Sequence, residues 1–162
     1  MALMLVMFVD ARSSEVVCNP GTIKPGIVTG SIAWIVAKTE WPAQERPPIC
    51  FVGLGQLLKM YHGDGSASDE PRIGALYSVE THKVYLPENW NPNDLHDRSA
   101  LLHELVHHLQ RLNDVKAACF AANEPQAYHL QLEWLREQGI QDPYTFLDID
   151  EFTILLNSRC HD

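Results

Sequence analysis

Leu95-His-Asp-Arg-Ser-Ala-Leu-Leu-His-Glu-Leu-Val-His-His-Leu-Gln-Arg-Leu112 is the stretch on which the reading of this chain turns. Leu101, Leu105, Leu109 and Leu112 recur at helical spacing, and Leu102 and Val106 widen the stripe. Asn93 or Asp94 stands ready to cap the first turn. A helix this apolar around its middle belongs at the centre of a domain. The polar residues inside it, His103, Glu104, His107 and His108, therefore need partners.

Two histidines at i and i+4 share one helical face, and both imidazoles can reach a single tetrahedral ion. A Glu directly after the first His is aimed at the ion's open side, where a general base is wanted. His103, Glu104 and His107 meet this pattern. A catalytic zinc keeps three protein ligands, so a third is required. Asn123-Glu-Pro-Gln126 announces another helix, with Asn123 as N-cap, Pro125 tolerated in the first turn and Gln126 closing a capping box. Glu124 opens that helix and is the expected third ligand; Asp114, near the end of the His helix, is its rival. One zinc ion per chain, held by His103, His107 and Glu124, is thus expected, with Glu104 taking a proton from an activated water and returning it to the leaving amine. Tyr128, His129, Tyr85 and His161 are unranked candidates for the donor that steadies the developing oxyanion. Tyr128, at i+4 from Glu124, is equally suited to orienting that ligand. His96 and His108 read as neighbours without a metal role, and His62 and His82 as loop residues.

Leu102-His-Glu-Leu-Val-His-His-Leu-Gln110, followed by Asn123-Glu-Pro-Gln-Ala-Tyr128, resembles the core of the gluzincin-type zinc metallopeptidases, in a small bacterial branch. The resemblance covers roughly 75–138. Thermolysin-like members place their third ligand as a Glu on a following helix, which implies that role for Glu124. It also implies a hairpin whose edge strand lies beside the cleft, where an extended peptide could align. The chain is smaller than the larger members and has no recognisable partner motif for the transition-state donor. The related metzincin pattern would need Gly at 110 and His at 113, and Gln110 and Asn113 exclude it.

Outward from this centre, Ile73–Ser78 and Lys83–Leu86 read as a β-hairpin ended by Pro87. Ile49–Val52 reads as a short strand, Gly55–Tyr61 as a helix, and Thr29–Lys38 as a first helix capped by Ser31. Residues 63–71 form an acidic loop, and the tail from Asp142 holds one short helix around Phe152–Leu156. The fold expected is α+β: a minimal zincin-like metallopeptidase domain with an edge hairpin, an active-site helix and a ligand-bearing helix.

At 162 residues, 46% apolar and 20% charged, the chain has the size and composition of one globular domain, placed at 12–162. Its formal charge of -9, with no local Lys/Arg cluster, argues against nucleic acid and anionic lipid as partners. No later stretch reaches the ~20 apolar residues of a membrane span. The apolar run Met1–Val9 followed by Ala11 fits a signal peptide over 1–11, a truncated remnant of one, or a buried strand. Four cysteines suit two disulfides and a secreted or periplasmic location, with four thiols in a cytoplasmic protein as the alternative. Three pairings are open; the one favoured joins Cys18 to Cys160 and Cys50 to Cys119. A peptide or protein substrate is expected, with room for a regulatory protein partner. The rival readings are a non-enzymatic, metal-stabilised partner-binding protein and a zinc hydrolase of non-peptide substrates.

Overall fold

A computed structural model describes residues 16–42, 44–62 and 73–160. The expected leader over 1–11, the acidic loop 63–71 and His161 lie outside the described residues. The chain is α+β, in the order α1 (Pro25–Thr39), β1 (Ile49–Val52), α2 (Leu54–His62), β2 (Leu76–Tyr77), β3 (Val84–Pro87), α3 (Leu95–Leu112), a 3-10 turn (Phe120–Asn123), α4 (Glu124–Glu137), α5 (Pro143–Leu147) and α6 (Glu151–Asn157).

The sheet has the order β1-β3-β2, with β1 parallel and β2 antiparallel to the central β3. Its alternation of side chains sorts two cores. Phe51, Val84 and Leu86 face the main core with α1, α3 and α4, whereas Cys50, Val52 and Tyr85 face Leu57 of α2. All four residues of β3 are buried, as a central strand covered on both faces requires. β2 is an edge strand, as the sequence predicts for the hairpin.

α3 runs over the predicted residues, and Asp94 caps it by accepting from the His96 N–H at 2.8 Å. Leu101, Leu102, Leu105, Val106 and Leu109 are fully buried, so the stripe is core on nearly every side. α4 packs along it through Ala127, Leu130, Trp134 and Leu135, and Gly139 (φ 91°) ends α4 in a conformation open to glycine.

Several expectations need correction. Ser31 does not cap α1: Pro25 starts the helix a turn and a half earlier, leaving Ser31 buried inside it. The capping box at Asn123 and Gln126 does not form, because the 3-10 turn leads straight into α4 and Gln126 is engaged by Gln110. The tail holds two short helices, each capped by an aspartate, Asp142 and Asp150. The disulfides join Cys18 to Cys50 and Cys119 to Cys160, not the pairs expected. The segment carrying Cys18 lies along the outer edge of β1, where the Asn19 N–H donates to the Phe51 carbonyl at 2.7 Å. The tail instead folds back on α4, which brings Cys160 to Cys119. Among the described residues no helix is long and apolar enough to cross a membrane.

Candidate metal centre

α3 sets His103 and His107 one turn apart on the face turned toward α4, 7% and 2% exposed. Glu124, the first residue of α4, reaches back between them. The His103 Nε2 to His107 Nε2 distance is 3.1 Å, His103 Nε2 to Glu124 Oε2 is 3.1 Å, and His107 Nε2 to Glu124 Oε1 is 3.3 Å. Ligand bonds of about 2.0–2.1 Å around a tetrahedral ion imply ligand-to-ligand edges of about 3.3 Å, so the triangle has the size of one face of such a site.

Two glutamines decide which imidazole nitrogens face that triangle. The Gln131 amide donates to Ser99 Oγ at 3.1 Å, and Ser99 Oγ in turn donates to the His96 carbonyl. This turns Gln131 Oε1 toward His103 Nδ1, 3.0 Å away. The Gln110 amide donates to the Asn123 carbonyl and to Gln126 Oε1, turning its own Oε1 toward His107 Nδ1 at 2.9 Å. An oxygen at each Nδ1 calls for Nδ1–H, so each neutral imidazole presents its Nε2 lone pair inward. Two lone pairs and a carboxylate then converge on one point, an arrangement that a bound cation would stabilise. His103, His107 and Glu124 can thus hold a metal ion, and their ligand atoms lie within 4.8 Å of one another.

The electrostatics follow. Burial alone would raise the Glu124 carboxyl, but with no ion bound and the imidazoles protonated at Nε2, their hydrogen bonds and charges outweigh it and hold it at about 2. Burial opposes a charge on His107, yet Glu124 and Glu104 beside it push its pKa up. Glu104 is raised by burial, against the pull of both histidines and of the Tyr77 N–H, which donates to Glu104 Oε2 at 2.7 Å. That bond ties the edge strand β2 to the carboxylate expected to act as base.

Of the triad, His103 lines a cavity of about 610 Å³, together with Glu104, Tyr128, Gln131, Gly74 and Ala75. The chain entering β2 presses onto α3 at Gly74, where a Cβ would come within 2.8 Å of the Ala100 Cβ. Of the proposed donors, Tyr128 is at the site, edge-on to the His103 ring at 4.6 Å, its hydroxyl pushed up to about 12 by burial. His129 is on the surface near Glu133, and Tyr85 lies in the α2-side core, bonded to Thr81. Asp114 pairs with Lys116 at the surface beyond α3, so it is no rival to Glu124. Sequence reasoning missed Tyr61, which lines the cavity from the end of α2, and the orienting roles of Gln110 and Gln131. His96 also lines the cavity, stacked on Phe146 at 3.9 Å, and His108 donates from Nε2 to the Glu45 carbonyl at 2.9 Å.

The family model for a domain of unknown function, DUF6647, matches residues 21–162. The chain belongs to that family. No curated protein and no solved structure matches it. In this DUF6647 domain the match takes in both helices of the triad and the whole sheet.

Proposed function

We propose that the chain is a zinc-dependent hydrolase, most directly a metallopeptidase, with zinc on His103, His107 and Glu124 and with Glu104 as general base. The observation carrying this reading is the inward convergence of both Nε2 atoms and the Glu124 carboxylate, with each Nδ1 held by a glutamine. Two nitrogens and one oxygen suit zinc and leave a position open for chemistry. Bound there, zinc would supply Lewis acidity, polarising a carbonyl and making water acidic near neutral pH.

Glu104 is anchored through Oε2 by the Tyr77 N–H, which leaves its other oxygen to take a proton from water and hand it to the leaving amine. Burial pushes its pKa up, the direction that suits a carboxylate which must both accept and release a proton. β2, an edge strand among the described residues, follows Gly74 and Ala75 on the cavity wall, which favours an extended peptide as substrate. The two disulfides support a secreted or periplasmic setting.

The deciding experiment compares zinc content and peptide cleavage in wild type, Glu104→Gln and Glu124→Ala. We expect about one zinc per chain in wild type and Glu104→Gln, loss of zinc in Glu124→Ala, and a fall in turnover of at least about 100-fold in Glu104→Gln. Full activity in Glu104→Gln would sink the base assignment. A Glu104→Gln protein unchanged in every respect, beside a His103→Ala protein that unfolds, would point to a purely structural metal.

A further inference from the structure

We infer that Tyr77 and Arg111 are positioning residues for Glu104: α3 grips the tyrosine at both ends, and the grip fixes the N–H that aims the carboxylate. This role rests on the hydrolase reading and adds the support that its base requires. Glu104, His108 and Arg111 stand at i, i+4 and i+7 on one face of α3, and all three meet Tyr77. The Tyr77 N–H donates to Glu104 Oε2 at 2.7 Å. Two turns further along the helix, Arg111 Nε donates to the Tyr77 hydroxyl, also at 2.7 Å. Between them the His108 ring lies edge-on to the Tyr77 ring, with centroids 5.6 Å apart. His108 is steadied in turn by the bond from its Nε2 to the Glu45 carbonyl.

The strand by itself is a poor anchor. β2 is two residues long and pairs with β3 at Leu76 with Tyr85 and at Tyr77 with Val84, short of the usual run of ~3–10 residues. A base on a flexible glutamate arm has to be held within about 0.5 Å and 10–20° of its working position. The Tyr77 N–H ties that arm, so the aim of the carboxylate is as steady as Tyr77 itself. Burial of the tyrosine, 4% exposed, and the bond to its hydroxyl supply the steadiness. A slip of β2 by one residue would turn Tyr77 to the other face of the sheet and break both bonds together. Arg111 is exposed and is not part of the cavity wall, so it reaches the base through the tyrosine alone.

The test uses the full chain as wild type, Tyr77→Phe, Arg111→Met, Arg111→Lys, and a variant carrying both Tyr77→Phe and Arg111→Met. Amide exchange at residue 77 is read by NMR on the metal-free protein, with Val84 of the central strand as control. Zinc content, kcat and KM are read on the zinc-loaded protein, with the quenched fluorescent decapeptide that wild type cuts fastest. We expect exchange at residue 77 to quicken at least about tenfold in Tyr77→Phe and in Arg111→Met, and to hold at Val84. In both, kcat should fall about 5–20-fold with zinc retained and KM within about twofold, because a misaimed base slows the chemical step and leaves binding alone. The variant with both changes should lose no more than either single one, since each removes the same bond. Arg111→Lys, which still offers an N–H to the hydroxyl, should recover most of kcat. Full kcat in Arg111→Met, a loss carried by KM or by zinc, or additive losses in the combined variant would overturn the positioning role and leave the hydrolase reading standing. If wild type cuts no peptide, the hydrolase reading falls and exchange at residue 77 decides the grip: quickening upholds it, and no change overturns it.

Discussion

The two walls of the cavity are built in opposite ways. One is the seam of α3 and α4, where five fully buried aliphatic side chains of α3 lie beneath the triad and amide hydrogen bonds hold both imidazoles. The other is the tail, α5 and α6, which contributes Phe146, Leu147, Ile149, Thr153 and Asn157. α6 has no buried residue and exposes Phe152, Leu155 and Leu156. It is held by aspartate caps, by packing on α4 and by the Cys119–Cys160 disulfide. The imidazoles whose geometry the amides fix stand on the rigid wall, whereas the thin wall has little buried surface to hold it in place.

The largest test of that contrast is truncation of one leucine on each side. Leu105→Ala, at a fully buried position, should cost about 2–5 kcal/mol in urea unfolding. Leu155→Ala, at a position 54% exposed, should stay within about 0.5 kcal/mol. Similar costs at the two positions would show that α6 is as much core as α3.

The next largest effect concerns the staple. The Cys119–Cys160 bond spans 41 residues and ties the end of the tail to the turn that leads into Glu124. Replacing both cysteines by serine should cost about 2–4 kcal/mol. Hydrogen exchange should quicken first in 143–157, while zinc content is retained. Loss of zinc with an intact tail would instead make the bond a support of the metal centre, acting through Phe120, which packs on the His107 ring at 4.9 Å.

A smaller effect is expected from the glutamines. Gln131→Ala and Gln110→Ala remove an acceptor from an Nδ1–H, and each should weaken zinc affinity by about 10–100-fold, measured by competition with a chelator. Gln131→Glu keeps an acceptor in place and should recover much of the loss. Unchanged affinity in both alanine variants would mean that packing alone orients the imidazoles.

These glutamines also mark how far the sequence could be read. The span of α3, its aspartate cap, the hairpin, and the meeting of His103, His107 and Glu124 were legible because each follows from local periodicity or from a side-chain type at a set spacing. Gln110 was visible only as a polar residue in an apolar helix, because its amide bonds reach Asn123 and Gln126 across the helix–helix seam. The same bonds draw Gln126 away from the cap predicted for it. The disulfide pairing was not legible for a related reason: it depends on where the two ends of the chain pack, against β1 and against α4, and spacing carries no record of that. Two short helices in the tail passed for one, since neither has enough apolar periodicity to announce itself and only their caps separate them.

Those caps give the smallest and most local prediction. Asp142 and Asp150 each accept from a threonine hydroxyl and a backbone N–H, and these bonds hold both carboxyls below their ordinary 3.8. A depressed carboxyl pKa contributes stability that is present above the unfolded value and lost as pH falls through the folded one. In the metal-free protein, Glu124 stays ionised down to about 2 and keeps its contacts with the two histidines over the same range. Acidification from pH 5 toward pH 3 should therefore quicken amide exchange in 143–157 before it does so in α3. Asp150→Asn, which retains an acceptor for the Thr153 N–H, should flatten the pH dependence of α6 alone. If α3 and the tail loosened together, the two walls would be one cooperative unit, and any opening of the tail would have to disturb the His103, His107 and Glu124 triangle as well.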